Sequence, residues 1–311
     1  MRDQLKKLYL KAYKFVHSVT LPGFDDMPVS RVFSFFYKGI VNGAITTRSS
    51  AISFNLFVAI FPTIIFLFTL IPFIPIDNFQ ETLLGLLENV IPQSAWHTVQ
   101  STFLDIVMRP HGSWLSIGFV LALFFSTNGI NSMIEAFNAS YHNMEMRGIF
   151  AQRWVAFVLV LVLALMLVVA ITFITVGSAL LQYMRTEGFL QDKFIYFLID
   201  SIRWIVLIAL TYFGISLIYY CAPAKKRPFK FFSAGSSSTT FVIMATNVGF
   251  NYYANNLATY NALYGSIGTL LLILLWIYFN STILLIGFEL NVSILNAKQL
   301  DNPQYQPPRM P

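Results

Sequence analysis

The stretch Phe231–Asn255, FFSAGSSSTTFVIMATNVGFNYYAN, decides the fold. Its apolar residues suit a bilayer. Its hydroxyl run Ser236-Ser237-Ser238-Thr239-Thr240 and the asparagines Asn247, Asn251 and Asn255 do not. Four other runs carry no such conflict: Ala51–Phe73, Trp154–Leu181, Ser201–Tyr220 and Ser266–Leu290 are each near the ~20 apolar residues that a spanning helix needs. One further run, Trp114–Phe125, is apolar for only 12 residues before Ser126-Thr127-Asn128. The chain crosses a membrane four times without the two weak runs and six times with them.

The basic residues choose between the two topologies. Six crossings with the N-terminus inside place 16 of the 20 Lys+Arg on the cytoplasmic side, leaving Arg109, Arg185, Lys193 and Arg203 outside. Four crossings give 13 against 7 and export Lys225, Lys226, Arg227 and Lys230. Basic loops resist translocation, so six crossings are expected, with both termini cytoplasmic.

Composition agrees with a membrane class. The 311 residues are 56% hydrophobic and 11% charged, where a soluble domain carries about 25%. That excludes an ordinary cytosolic enzyme, a disordered chain and a disulfide scaffold. The net charge of +6 reads as cytoplasmic loops rather than as a nucleic-acid surface. The single Cys221 forms no intramolecular disulfide and no cysteine-rich metal site. No cleavable signal is visible ahead of Ala51.

The expected fold class is all-α: a single polytopic domain over 1–311 with six transmembrane helices and interfacial amphipathic helices. Residues 1–48 form a cytoplasmic amphipathic region. Leu5, Leu8, Ala12, Val16 and Val19 share one face, opposite or beside Lys6, Lys7, Lys11 and Lys14. Pro22-Gly23 ends that segment, and a second starts at Pro28 and presents Phe33, Phe36 and Ile40. The loop 75–112 repeats apolar residues at helical spacing and predicts two helices at the outer interface. Residues 298–311 are a cytoplasmic tail.

The polar residues at membrane depth are the candidate site. Asn128, Asn131, Glu135 and Asn138 fall on one helical stripe, and Asn247, Asn251 and Asn255 on another. Asn55 lies in the first span. A charge in a span costs roughly 2.5–3.5 kcal/mol on insertion scales, so such groups face an interior or a cavity. Two readings stay open: a polar cavity for a head group, or helix packing by amide hydrogen bonds. The Ser/Thr run and Gly287 favour close helix approach. Arg48 and Glu289 could pair as a gate or a structural clasp. Pro62 interrupts the first span. Lys225, Lys226 and Arg227 are candidate contacts for anionic lipid, beyond their part in orientation.

No catalytic, cofactor-binding or metal residues are identified. His17, His97, His111 and His142 are scattered, and no G-x-x-x-x-G-K-[ST] or G-x-S-x-G occurs.

The last span, YGSIGTLLLILLWIYFNSTILLIGFELN over Tyr264–Asn291, resembles the hallmark of the YihY/virulence factor BrkB family of bacterial inner-membrane proteins. AISFNLFVAIFP (Ala51–Pro62) and NGINSMIEAFNASYH (Asn128–His142) resemble two further family segments, although Ser53, Phe54, Asn55 and Ala59 replace commoner residues in the first. The resemblance runs from about Arg31 to Ala297. It implies six helices, an inner-membrane location and a link to envelope integrity and to movement of a lipid A precursor. The family once carried a ribonuclease label, for which this sequence offers no metal cluster. The expected function is therefore non-enzymatic: a transporter or flippase-like protein for an envelope lipid or lipid-linked amphiphile. The alternatives are a scaffold for envelope-assembly proteins, working through 75–112, and more remotely a nuclease. Membrane lipids are the expected partners, with no nucleic acid and no cofactor.

Overall fold

A computed structural model describes residues 20–21, 23–70, 100, 112–140, 147–186, 193–224, 231–256 and 266–300. The basic N-terminal segment, most of 75–112, the Lys225–Lys230 loop and the tail beyond Leu300 lie outside the described residues.

Seven helices make up the described chain: α1 (Val29–Asn42), α2 (Ile45–Leu70), α3 (Gly112–Asn138), α4 (Ile149–Thr186), α5 (Lys193–Cys221), α6 (Ala234–Asn256) and α7 (Ser266–Leu300). The helices α2 to α7 each overlap one of the six expected crossing segments. Among the described residues, four stretches are long and apolar enough to cross a bilayer: Ile117–Asn138, Ile149–Ala170, Trp204–Cys221 and Leu270–Gln299. The pair Val29–Asn42 and Ile45–Thr63, bent by 63°, qualifies as a fifth if taken as one span. The α6 helix has 23 residues, about 35 Å, but its composition keeps it off that list. The α2 helix runs through Pro62 without a break.

The chain forms two compact units: Met1–Ser53 with Asn131–Pro311, and Phe54–Ile130. In the second unit, the Gly129 backbone of α3 lies so close to α2 that a methyl group there would meet Leu56 Cδ2 at 2.7 Å. Thr63 and Thr127 return their hydroxyls to the carbonyls of Ala59 and Leu123, at 2.7 and 2.6 Å, so neither exposes an unsatisfied donor to lipid.

In the first unit, α7 packs against both α1 and α6, and α5 packs against α4 and α6. Pro28 opens α1, where its missing N–H costs nothing. Val32 of α1 is buried against Ile294 and Ala297 of α7, with Phe24, Met27 and Phe35 around them. The α1–α2 corner turns at Gly43 and at Ala44, whose φ of 46° is left-handed and unfavourable for a residue with a Cβ.

The α6 helix shows why a Ser/Thr-rich segment is helical here. Ser233 caps it, its Oγ accepting from the Ser236 N–H at 3.0 Å. Asn291 of α7 completes the cap: its Oδ1 accepts from the Gly235 N–H at 2.8 Å and its Nδ2 donates to Ser233 Oγ at 3.1 Å. Tyr212 and Ser216 of α5 both donate to the Phe231 carbonyl, at 2.9 and 3.2 Å. Phe231 to Ser233 therefore form the capped entry rather than the first turn. Farther along, Gly235 and Gly287 face each other without side chains, and Ser236, Thr239 and Thr240 are buried. Small residues let the backbones approach, which is the main source of helix association inside a bilayer.

Candidate functional site

The described polar side chains concentrate where α2, α3, α4, α5, α6 and α7 begin or end within the first unit. Arg48 stands in the first turn of α2. Its Nη1 donates to the Ala136 carbonyl at 2.7 Å and to Ser140 Oγ at 2.8 Å, satisfying a carbonyl in the last turn of α3. Its Nη2 lies 4.0 Å from Glu289 Oε2 on α7, with both side chains nearly buried. Nε and Nη2 of Arg48 are buried and make no hydrogen bond. The Glu289 carboxylate lies directly against Gly39 of α1, where any Cβ would collide with it. The two residues expected to pair are thus neighbours, though their contact is long for an ion pair.

Below this pair sits an aromatic cluster. Phe137 stacks on Phe288 with centroids 4.3 Å apart, and Tyr219 meets both edge-on at 5.7 and 5.5 Å. Tyr219 Oη donates to the Leu284 carbonyl at 2.7 Å and sits 2.7 Å from Thr239 Oγ1. A phenol has one proton, so Thr239 is the donor in the second bond. Replacing Tyr219 with Phe would leave a buried Thr239 hydroxyl and a carbonyl without this partner. The expected cost is about 1–3 kcal/mol, seen as a lowered unfolding midpoint in detergent with unchanged helical content.

Arg147 closes the end of α5. It donates to the carbonyls of Cys221 and Ala222 at 3.2 and 2.9 Å and to that of Pro223. Partial burial pulls this guanidinium below its ordinary pKa, with Cys221 acting in the opposite sense. It remains a cation at neutral pH, which suits a helix C-terminus.

The expected stripe on α3 divides by partner. Asn131 Nδ2 donates to Glu135 Oε1 at 2.7 Å, and Gln152 Nε2 on α4 donates to Asn131 Oδ1 at 2.8 Å and approaches Glu135 Oε1 at 3.5 Å. Glu135 is exposed. Asn138 is buried and instead accepts from the Ala224 N–H at 2.9 Å, steadying the exit of α5 beside Arg147. Asn128 and Asn55 are half-buried in the second unit. On α6, Asn247 Oδ1 accepts from Trp276 Nε1 of α7 at 2.9 Å. Asn251 and Asn255 lie on the helix, and their side chains are outside the described residues, as are Lys225, Lys226 and Arg227. Asn131 and Glu135 therefore bond each other and Gln152 of α4, Asn138 bonds the segment that follows α5, and Asn247 bonds α7.

Sequence reasoning missed Gln152, Arg147, Tyr219 and Gly39. Each acts on a partner far along the chain, and only Gln152, a polar residue beside the start of an apolar run, left a signal. Among the described residues, no three His, Cys, Asp or Glu side chains converge as a metal site would need.

The fold and its apolar helices define a polytopic helical membrane protein. The sequence profile of the Virulence factor BrkB family matches residues 36–310, and the chain belongs to that family. It is 28% identical to the putative ribonuclease-like protein YfkH of Bacillus subtilis, over 83% of this chain and 94% of that one. It is 23% identical to a UPF0761 membrane protein of Aggregatibacter aphrophilus, over 82% and 88% of the two chains. A UPF0761 membrane protein of Vibrio campbellii is 22% identical over 84% and 81%. No solved structure matches this chain.

Proposed function

We propose that the protein is a transporter or flippase-like carrier for an envelope lipid or lipid-linked amphiphile in the bacterial inner membrane. In this reading α2 to α7 cross six times, both termini are cytoplasmic, and Lys225, Lys226 and Arg227 meet anionic lipid. The Asn131–Glu135–Gln152 network, with Asn138 and the α6 row Asn247, Asn251 and Asn255, gives the polar head group a path while acyl chains stay in the bilayer.

One observation carries the reading. Glu135 is an exposed carboxylate at the end of a helix otherwise fit to cross a membrane, and Asn131 and Gln152 orient it. Charged groups within a membrane span are costly and usually face an interior or a water-filled cavity. Asn247 supports it more weakly, since its bond to Trp276 also serves packing. Arg48 and Glu289, at the corner between α1, α2 and α7, would then act as the gate of this path.

The test is simultaneous alanine replacement of Asn247, Asn251 and Asn255. Amphiphile movement in reconstituted vesicles should be lost while the amount of folded protein in the membrane stays the same. Interhelical amide bonds average only about 0.6 kcal/mol, so folding should survive. Full transport by the triple variant would refute the path.

The name of the Bacillus subtilis relative, a putative ribonuclease-like protein, supplies a second reading, a ribonuclease-like activity. Purified protein with Mg²⁺ or Mn²⁺ and an RNA substrate distinguishes the two: metal-dependent cleavage lost on mutation of this chain's own residues would favour the nuclease.

A further inference from the structure

The α1 helix has three faces rather than two. At 100° per residue, Val32, Phe35 and Gly39 fall in one sector, and this sector meets α7: Val32 is buried against Ile294 and Ala297, and Gly39 touches the Glu289 carboxylate. Phe36, Ile40, Phe33, Tyr37 and Val41 lie in the next sector, with Ser30 of the first turn, whose hydroxyl is buried. Phe33, Tyr37 and Val41, spaced i, i+4, i+8, are each about 60% exposed. Ser34, Lys38 and Asn42 fill the third sector and are exposed. A helix at an ordinary protein–water boundary has no use for the middle sector, where three large apolar side chains stand side by side, uncovered by any other described residue.

The length and angle of α1 say what covers them. Fourteen residues span about 21 Å, too short for a hydrocarbon core of about 30 Å. The helix meets α2 at 63°, so it leaves the spanning direction at Gly43–Ala44. It is held there on its inner sector by α7, which leaves the apolar sector facing outward and the polar sector, with Lys38, beside it.

We propose that α1 is docked in the membrane interface. Phe33, Tyr37 and Val41 enter the acyl boundary, and Lys38 stands at the level of anionic phosphates. The partner is a lipid surface. This differs in detail from the face expected from sequence, because Phe36 and Ile40 are half-buried at the sector's protein edge. The inference does not depend on transport and holds for any activity of the bundle. On its inner side α1 is in direct contact with the Arg48–Glu289 neighbourhood, through Gly39 against Glu289.

The test uses spin labels on the full chain. With Cys221→Ala as background, single cysteines at 33, 37 and 41 and at 34, 38 and 42 are labelled. The protein is placed in phosphatidylethanolamine–phosphatidylglycerol vesicles, and collisions with oxygen and with a water-soluble nickel chelate are measured. All six positions are exposed, so labelling should leave folding intact. Labels at 33, 37 and 41 should favour oxygen several-fold over the chelate, and those at 34, 38 and 42 should show the reverse. Equal access at all six would place α1 in water and overturn the proposal. Protection of 33, 37 and 41 from both reagents would mean a protein cover, such as a second copy, and would overturn it equally.

Discussion

Replacing Glu289 with Ala is expected to destabilise the protein by about 3–5 kcal/mol, the usual penalty for removing one partner of a buried charge pair. Arg48 is the reason. Its Nη1 would keep the Ala136 carbonyl and the Ser140 hydroxyl, but Nη2 would lose its neighbouring carboxylate while remaining buried. An uncompensated cation in that position costs far more than the ion pair itself contributes, because desolvation cancels most of the attraction in a pair 4.0 Å apart. The diagnostic is a double-mutant cycle. Glu289→Met alone and Arg48→Met alone should each lower the unfolding midpoint strongly. The double Met variant should lose clearly less than the sum, since both charges leave together. Additive losses would mean that the two residues do not sense each other.

The second large effect is steric. Gly287→Val should force α6 and α7 apart. A Cβ at 287 would collide with Thr239 Oγ1 and come within 2.7 Å of Tyr219 Oη, and both atoms belong to the buried bond beneath the aromatic cluster. Overpacking of this kind costs about 1–3 kcal/mol, more where the backbone must move. Gly249 on the same α6 provides the control, because a Cβ there meets nothing within 4 Å. Gly249→Ala should be neutral or stabilise by up to about 1 kcal/mol through helix propensity alone. Similar behaviour of the two variants in thermal unfolding would contradict the packing described for α6.

These two expectations also separate what the sequence revealed from what it concealed. The strong runs declared α4, α5 and α7 because uninterrupted apolar length admits one solution in a bilayer. The close-packing role of Gly287 was legible from its residue type, and the proximity of Arg48 and Glu289 from their placement at one end of the first and last apolar runs, although α7 itself continues past Glu289 to Leu300. The α3 helix was legible to Asn138, from its apolar run to Phe125 and from the helical stripe of Asn128, Asn131, Glu135 and Asn138, but the partners of that stripe on α4 and at the exit of α5 were not. Hydropathy counts the polar side chain and cannot see the partner that satisfies it. The same holds for α6: Phe231 reads as the start of the apolar segment, but its carbonyl is taken by Tyr212 and Ser216, and Ser233 with Asn291 sets the first turn three residues later. Arg147, which could have been counted merely as a loop charge, closes α5 through three carbonyls 74 to 76 residues away. Periodicity within one element carries no record of such distant contacts.

The proposed six crossings require that α3 and α6, the two most polar of the six long helices, both cross the membrane. Lys226 reports on it directly, since it follows α5 and precedes α6. In a Cys221→Ala background, Lys226→Cys should react with a membrane-impermeant maleimide only after the cytoplasmic side of spheroplasts is opened. Labelling of Lys226→Cys in intact spheroplasts would put that loop outside and contradict the six-crossing account.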